Sequence, residues 1–199
     1  MTWVKVCGLR TPTDVEAAVN AGADAIGFVL APSSPRYVTQ SQAAALGREV
    51  ETLTVIVTVD LTAPELLAAV ETTGAGGVQP HGAYRREAAR RAQAEGLFVL
   101  HPVPVRGSID VSDIDEGQIP LLDSYRAGAH GGTGEVFDWE TIPDLGRRFV
   151  LAGGLGPENI VEAIRLVAPW GVDASSGLES APGVKDPQRI RRYVERARD

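Results

Sequence analysis

The stretch WVKVCGLRTPTDVEAAVNAGADAIGFVL, residues 3–30, decides the fold. It begins with a β-branched run, WVKVC (3–7), and ends with a second apolar run, AIGFVL (25–30). Between them, Thr11-Pro12-Thr13-Asp14 has the pattern of a helix start, with an N-cap threonine, a proline at the first helical position and an acid at the third. Two strands joined by a helix predict parallel pairing, because parallel neighbours need a crossover connection.

The same alternation continues along the whole chain. Further strands are predicted at 54–60, 77–79, 97–102, 118–123, 148–152 and 172–175. Helices are predicted at about 39–50, from Thr62, at 83–95, near Asp138, from Pro157 and from Asp186. Residues 103–117 contain Pro, Gly, Ser and four acids, so the fifth helix should be short or irregular. Eight strand–helix units favour one closed (β/α)8 TIM barrel with short loops over 1–199, with an open doubly wound sheet as the alternative.

Composition limits the kinds of partner. The net charge is −7, which disfavours nucleic acid and anionic membranes as partners. Cys7 is the only cysteine, so no internal disulfide is expected. The first residues lack a basic segment followed by an apolar run, and no apolar stretch approaches the roughly 20 residues that span a bilayer. We therefore expect a cytoplasmic protein, and an anionic ligand would have to be held by local groups.

The active site of such a barrel lies at the C-terminal ends of its strands. Polar or glycine-rich residues follow most of the predicted strands, namely Cys7-Gly8, Ser34–Arg36, Asp60, Gln79–Gly82, Asp123-Ser124, Gly153-Gly154 and Ser175–Gly177. The last two of these segments stand where barrels often bind phosphate through backbone N–H groups. Ordinary turns are the alternative for each segment taken alone, but their joint placement favours an enzyme with a phosphate site.

Cys7 is the first candidate for catalysis. A lone cysteine is usually a small buried hydrophobe, but Cys7 lies at a strand end. Lys5 shares its face and should enter the barrel, while Asp173 lies on strand eight, which adjoins strand one after closure. We expect a Lys5–Asp173 ion pair, because an unpaired interior charge is costly. The ammonium would favour the Cys7 thiolate, and Asp173 would offset much of that effect.

Asp123 and Arg36 are the next candidates. Asp123 shares a face with Ile119 and Leu121, so its carboxyl should lie at the barrel mouth. Partial burial there raises a carboxyl pKa, as a general acid near neutrality needs, although a loop-bracing acid is the alternative. Arg36, in SPRYV (34–38), has the fork geometry that binds carboxylates, although a surface arginine is the alternative.

Metal and cofactor sites have no support in the sequence. The three histidines, His81, His101 and His130, lack the spacing of metal ligands. Neither a dinucleotide-binding motif nor a P-loop motif is present. We therefore expect neither a metal nor a cofactor.

Seven motifs resemble one family. They are KVCGLR (5–10), GFVLAPSSPRYV (27–38), VQPHG (78–82), LLDS (121–124), GGTGEVFDW (131–139), LAGGLGPENI (151–160) and GVDASSGLESAPGVKD (171–186). In this order they resemble the phosphoribosylanthranilate isomerases of tryptophan biosynthesis. The resemblance runs from Lys5 to Asp186 and covers nearly the whole chain.

The resemblance implies an Amadori rearrangement of N-(5-phosphoribosyl)anthranilate to 1-(2-carboxyphenylamino)-1-deoxyribulose 5-phosphate, with no cofactor. It implies that Asp123 is the general acid, that Cys7 as thiolate is the general base, and that Arg36 binds the anthranilate carboxylate. The implied substrate-binding residues are Arg36, His81, Gly132, Gly153, Gly154, Ser175, Ser176 and Gly177. The 124–137 loop resembles a mobile lid. The implied partner is this small molecule, and the protein is expected to be a monomer or homodimer.

Two departures and three alternatives accompany the resemblance. Pro80 replaces an aliphatic residue and removes a backbone donor, so strand four should end or bend there, while Leu9-Arg10 replaces the commoner Ile-Thr. The related histidine-pathway isomerase is one alternative, but it is expected to have an acid at the position of Cys7 and a second phosphate loop. Dual specificity and a catalytically silent barrel are the others.

Overall fold

Eight parallel strands form a closed barrel in the computed structural model, which describes residues 1–105, 109–112, 114–124, 139 and 142–199. The strands are β1 (Trp3–Cys7), β2 (Ala25–Val29), β3 (Leu53–Val59), β4 (Gly77–His81), β5 (Phe98–Val105), β6 (Ile119–Ser124), β7 (Val150–Leu151) and β8 (Gly171–Ala174). Each strand pairs with its neighbours in sequence order, and β8 pairs with β1 with Asp173 beside Lys5. The predicted TIM barrel is confirmed, and ring closure excludes the open sheet.

Six α-helices lie in the described part of the chain. They are α1 (Pro12–Asn20), α2 (Gln40–Gly47), α3 (Ala63–Thr73), α4 (Arg85–Ala94), α5 (Ile160–Val167) and α6 (Pro187–Arg198). The predicted start of α1 is confirmed: Asp14 N donates to Thr11 Oγ1 at 3.2 Å, and the Asp14 carboxylate accepts from Thr11 N at 3.1 Å. None of the described helices is both long and apolar enough to cross a membrane.

A hairpin follows β8 before the last helix. A short 3-10 helix, Ser176–Leu178, leads into β9 (Glu179–Ala181), which pairs antiparallel with β10 (Val184–Lys185). This hairpin lies outside the barrel sheet. It was not predicted from the sequence, and it brings two charged side chains to the strand-end face, as described below.

The fourth strand corrects part of the prediction made from Pro80. β4 continues to His81 in register with β3, and the His81 carbonyl accepts from Asp60 N at 3.0 Å. Because successive strand residues direct their backbone groups to opposite sides, the nitrogen of Pro80 faces β5. Pairing with β5 already ends at Val78. The β4–β5 ladder stops just before the proline, which has no N–H to donate, while pairing with β3 continues to His81.

Two boundaries on the seventh unit also differ from the prediction. β7 is limited to Val150–Leu151, and α5 begins at Ile160 instead of Pro157. The Asn159 side chain accepts from Gly156 N and donates to the Gly154 carbonyl, both at 2.9 Å. These bonds hold a turn ahead of the helix.

The fifth unit agrees with the expected irregularity. The described residues between β5 and β6 form no helix, and Ile114 N bonds the Val111 carbonyl in a turn. The helix predicted near Asp138 and the 124–137 loop fall almost wholly outside the described residues, and Gly132 lies outside them as well.

The core is divided by the barrel wall. Inside the barrel, a buried apolar cluster is formed by Ala25, Val55, Leu100, Leu121, Val150 and Ala152. A larger cluster packs the outer faces of several strands against helices α1, α2, α5 and α6. Each fully buried Leu or Ile contributes roughly 1.5–3 kcal/mol of transfer free energy. The interior cluster forms a rigid base beneath the strand ends.

Candidate active site

A cavity of about 330 Å³ opens at the C-terminal ends of the strands. Ligand sites of enzymes commonly have this size. Eight of the predicted site residues line it, namely Cys7, Arg36, His81, Asp123, Gly153, Gly154, Ser175 and Ser176. The strand ends that the sequence analysis identified therefore meet in one cavity.

Cys7 lies at the end of β1 and is 6% exposed. Gly27 on β2 makes room for it, since a Cβ at that position would lie 2.7 Å from Cys7 Sγ. Burial raises the pKa of the Cys7 thiol above its ordinary value, and the Asp173 carboxylate adds to this. The ammonium groups of Lys5 and Lys185 lower the pKa without offsetting burial. Burial and Asp173 thus favour the protonated thiol, and the two ammonium groups favour the thiolate.

The predicted ion pair beneath Cys7 is confirmed. Lys5 Nζ lies 2.8 Å from Asp173 Oδ2, and the two side chains are 0% and 7% exposed. We call Lys5 and Asp173 the inner pair. Lys5 Nζ also donates to Gln79 Oε1 at 2.9 Å, and Gln79 Nε2 lies 3.1 Å from His81 Nε2. A continuous set of polar contacts thus crosses the barrel from β8 to the cavity wall at β4.

Asp123 reaches the cavity from β6, as its alternation with Leu121 predicted. Leu121 is fully buried in the interior cluster, whereas Asp123 is partly exposed. In the ring of eight strands β6 and β1 are separated by three steps in one direction. Asp123 and Cys7 therefore face the same cavity from different sides of the barrel.

A second charged group lies on the strand-end face of the barrel. Arg36 donates to Glu179 through Nε at 2.6 Å and Nη2 at 2.9 Å, and Lys185 Nζ donates to Glu179 Oε1 at 2.8 Å. We call Arg36, Glu179 and Lys185 the rim cluster. Arg36 is 9% exposed and crosses Gly8, where a Cβ would lie 2.7 Å from Arg36 Cδ. Gly8 has φ +78°, so both its conformation and its lack of a side chain are needed.

The rim cluster has two cations for one carboxylate. Burial raises the pKa of Glu179, but the bonds from Arg36 and Lys185 outweigh it, so the pKa is lowered. Burial lowers the pKa of Lys185, and Glu179 does not fully compensate. Glu179 occupies the Nε–Nη2 edge of Arg36 and leaves the Nη1–Nη2 edge for another carboxylate.

The two glycine-containing loops lie side by side. Gly153 and Gly154 have φ values of 84° and 69°, a left-handed conformation that glycine adopts without strain. Gly177 differs from its predicted partners because it is not among the lining residues. A Cβ there would overlap the Leu155 carbonyl oxygen, so Gly177 allows the loops to pack closely.

Four residues of this site were given no individual role by sequence reasoning. Glu179 and Lys185 lie within one of the family-like motifs, but without a role assigned to either. Gln79 shares the face of His81 two residues away, which was a usable signal. Gly27 belongs to the predicted AIGFVL strand. Only the register of β1 with β2 reveals that it lies beside Cys7.

Metal binding has no structural candidate in the described residues. No group of three or more His, Cys, Asp or Glu side chains in those ranges is placed to hold a metal ion. The chemistry that this cavity can support with its described side chains is proton transfer, by a thiol and a carboxyl, on an anionic molecule.

Comparison with protein families identifies one match. Residues 4–196 match the model of the N-(5'-phosphoribosyl)anthranilate (PRA) isomerase family. The N-(5'-phosphoribosyl)anthranilate isomerase of Geobacter sp. (strain M21) is 41% identical over 208 residues, covering 100% of this chain and 98% of that protein. The similarity thus extends over the whole length of both chains.

Solved structures agree with the sequence match. A structure of monomers generated from the dimeric phosphoribosylanthranilate isomerase of Thermotoga maritima superposes with a TM-score of 0.83 at 33% identity, covering 100% of this chain and 99% of that one. A phosphoribosylanthranilate isomerase in complex with reduced 1-(o-carboxyphenylamino)-1-deoxyribulose 5-phosphate has a TM-score of 0.82 at 33% identity, with the same coverage.

Proposed function

Because this chain belongs to the N-(5'-phosphoribosyl)anthranilate isomerase family, we propose that it catalyses the Amadori rearrangement of that substrate in tryptophan biosynthesis. The product is 1-(2-carboxyphenylamino)-1-deoxyribulose 5-phosphate, so the reaction is an aldose–ketose isomerisation. One observation carries the assignment of residues: Cys7 and Asp123 line the same cavity from strands three steps apart. The cavity also has an arginine and a double-glycine loop in its wall.

Asp123 opens the sugar ring in the first step. Its carboxyl donates a proton to the furanose ring oxygen, and the bond between C1' and that oxygen breaks. The nitrogen lone pair forms the C1'=N bond of a protonated Schiff base, leaving Asp123 as carboxylate. A carboxyl at the cavity wall, above a buried leucine, is placed to donate this proton.

Cys7 removes the C2' proton in the second step. The thiolate takes the proton, the C2'–H electrons form the C1'=C2' bond, and the C=N electrons return to nitrogen, giving an enolamine. The enolamine tautomerises to the ketone when the C2' hydroxyl loses its proton and C1' gains one. A base with a raised pKa is a strong acceptor for a carbon-bound proton, and Lys5 keeps its thiolate attainable.

Two sets of groups hold the substrate ends. The open Nη1–Nη2 edge of Arg36 would bind the anthranilate carboxylate, while Glu179 holds the other edge. Gly153, Gly154 and the Ser175–Gly177 segment would bind the phosphate through backbone N–H groups. Holding both ends places C2' and the ring oxygen before the two proton-transfer groups. His81 would contact the sugar between them, and Gly132, outside the described residues, stays a predicted contact.

We also propose the setting in which the enzyme acts. Residues 1–199 form one barrel domain in the cytoplasm, with the small phosphorylated substrate as ligand and no nucleic acid or membrane partner. The protein is a monomer or homodimer, and the dimeric relative from Thermotoga maritima supports the second state.

A coupled assay tests this function. The substrate is generated in situ, and the next enzyme of the pathway traps the product. Cys7→Ser and Asp123→Asn should each lower kcat by about 10²–10⁴-fold, the usual contribution of one proton-transfer group. Arg91→Ala, on the exposed surface of α4, is the matched control and should keep wild-type turnover. Circular dichroism establishes that each variant is folded, and near-normal turnover in either site variant would refute the assigned roles.

A further inference from the structure

Four side chains form an unbroken polar chain through the barrel. Asp173 Oδ2 accepts from Lys5 Nζ at 2.8 Å, Lys5 Nζ donates to Gln79 Oε1 at 2.9 Å, and Gln79 Nε2 lies 3.1 Å from His81 Nε2. We call these four residues the interior chain. The first three are buried, and the last lines the active-site cavity. A donor facing another donor in such a buried contact is costly, because water cannot separate them.

Lys5 sets the direction of the interior chain. An ammonium has three donors and no acceptor. Burial lowers the pKa of Lys5, but Asp173 and Cys7 outweigh it, so the pKa is raised and the group stays charged. The atom of Gln79 that faces Lys5 must therefore be its oxygen, since two donors would repel each other. The opposite arm of the same amide is then the NH₂ group.

Gln79 passes this constraint to His81. Its NH₂ group can only donate, so His81 Nε2 must accept through its lone pair. A nitrogen that accepts in the ring plane has no proton. A neutral imidazole has one proton, which must then be on Nδ1. Imidazolium is excluded for the same reason, because it would place two N–H groups against each other at 3.1 Å.

We propose that Lys5 and Gln79 are positioning residues that hold His81 as the neutral Nδ1–H tautomer in the cavity wall. His81 then has a single donor, Nδ1–H, and a fixed ring plane. The ring contributes no positive charge beside Cys7 and Asp123, so it does not compete with either proton-transfer group. The tautomer itself depends only on the protein, whereas its use in catalysis rests on the proposed function.

A second histidine gives an internal reference. His101 Nδ1 lies 2.9 Å from Gln118 Oε1, Gln118 Nε2 donates to Gln93 Oε1 at 2.9 Å, and Gln93 Nε2 donates to the Glu116 carbonyl at 2.6 Å. This series is anchored at a carbonyl, so His101 Nδ1 must donate. The nitrogen of His101 that meets its glutamine is protonated, whereas the nitrogen of His81 that meets its glutamine is bare.

The wild-type protein provides the first test. Long-range ¹H–¹⁵N correlation spectra of the ¹⁵N-histidine-labelled protein, without substrate near neutral pH, distinguish protonated from bare ring nitrogens. His81, assigned from the signal that disappears in His81→Asn, should have a bare Nε2 and a protonated Nδ1. This is the reverse of the tautomer that the free side chain prefers in water. A protonated Nε2, alone or with a protonated Nδ1, would overturn the proposal.

Replacing the hydrogen-bond donor of Gln79 by an acceptor provides the second test. Gln79→Glu replaces the donor arm by a carboxylate oxygen, so the His81 proton should move to Nε2 while His101 remains unchanged. Gln79→Met removes the amide that donates to Nε2 and should lower the fraction of His81 with an unprotonated Nε2. If His81 keeps a bare Nε2 in Gln79→Glu, the proposal fails. Should the buried carboxylate prevent folding, the wild-type spectra still decide.

The coupled assay separates the interior chain from the proposed function. Gln79→Glu and Gln79→Met should each lower kcat by about ten-fold, as expected for the loss of one neutral hydrogen bond in the transition state. A shifted tautomer with wild-type turnover would overturn the positioning role. Inactive Cys7→Ser and Asp123→Asn variants together with a wrong tautomer would overturn the interior chain and leave the proposed function standing.

Discussion

Two buried ion clusters in the same barrel have opposite effects on their lysines. In the inner pair, Lys5 lies 2.8 Å from Asp173, and in the rim cluster Lys185 lies 2.8 Å from Glu179. Both lysine side chains are fully buried. The pKa of Lys5 is nevertheless raised and that of Lys185 is lowered, although burial is the largest influence on each and lowers both.

The number of charges explains this difference. The inner pair has one cation for one carboxylate, and Cys7 favours the charged form of both lysines, so it does not distinguish them. In the rim cluster Glu179 is shared between Lys185 and Arg36, so one positive charge is left over. A neutral pair orients its neighbours, whereas a cluster with a surplus charge attracts an anion. We therefore expect changes in the inner pair to act mainly on stability, and changes in the rim cluster mainly on substrate binding.

The largest effect is expected from Lys5→Met. This variant leaves the Asp173 carboxylate and the Gln79 oxygen buried without their donor, and such an uncompensated charge costs about 3–5 kcal/mol. The free energy of unfolding, measured in urea by circular dichroism, should fall by that amount. The double variant Lys5→Met/Asp173→Asn has no buried charge and should lose clearly less than Lys5→Met alone. Equal losses in the two variants would show that the pair is not the source of the effect.

The inner pair was predictable because strand geometry alone places it. A period of two puts Lys5 and Cys7 on one face of β1, and ring closure puts Asp173 beside Lys5. The same alternation brought Asp123 into the cavity above Leu121. The barrel itself was predictable because eight strands and their capped helices repeat along the chain.

The rim cluster was not predictable, because it depends on contacts distant in sequence. Arg36 and Glu179 are 143 positions apart, and they meet only where the β9–β10 hairpin lies against the segment after β2. No local periodicity encodes that contact. Strand four was predicted only in part: pairing with β5 ends before Pro80, but pairing with β3 continues because the nitrogen of Pro80 does not face β3.

The second largest effect is expected at Arg36 and tests the surplus charge. Arg36→Met removes the charge and both edges of the fork, and KM should rise about a hundred-fold, since a charge-assisted hydrogen bond contributes about 1.5–3 kcal/mol. Arg36→Lys keeps the charge but cannot hold Glu179 and a substrate carboxylate by two edges, so KM should rise about ten-fold. Initial rates over a range of substrate concentrations give both values.

The stability of the Arg36 variants completes this test. Glu179 keeps Lys185 as partner in both variants, so neither should approach the loss expected for Lys5→Met. An unchanged KM in Arg36→Met would show that the substrate does not use the surplus charge of the rim cluster. A loss of stability as large as that of Lys5→Met, with KM unchanged, would mean that the two clusters serve the same purpose.

The smallest effect links the two clusters through Cys7. Burial raises the pKa of the Cys7 thiol, and the Lys5 and Lys185 ammonium groups oppose this. Lys185→Met removes one of the opposing groups, so the pKa should rise further. The ascending limb of the kcat/KM–pH profile, which reports the free enzyme, should then move to higher pH. The rate at which iodoacetamide alkylates Cys7 should show the same displacement, and Arg91→Ala should leave both profiles in place.

The direction of this displacement decides whether the rim cluster acts on the base. A thiol whose pKa is raised in the folded protein holds its proton to higher pH than in the unfolded chain. Its contribution to stability is therefore present below the ordinary thiol pKa and is lost as the pH rises through the raised value. In Lys185→Met this contribution should be lost only at a higher pH, because Cys7 holds its proton more tightly. A limb that stays in place or moves to lower pH would confine the rim cluster to substrate binding and leave Lys5 as the ammonium that governs Cys7.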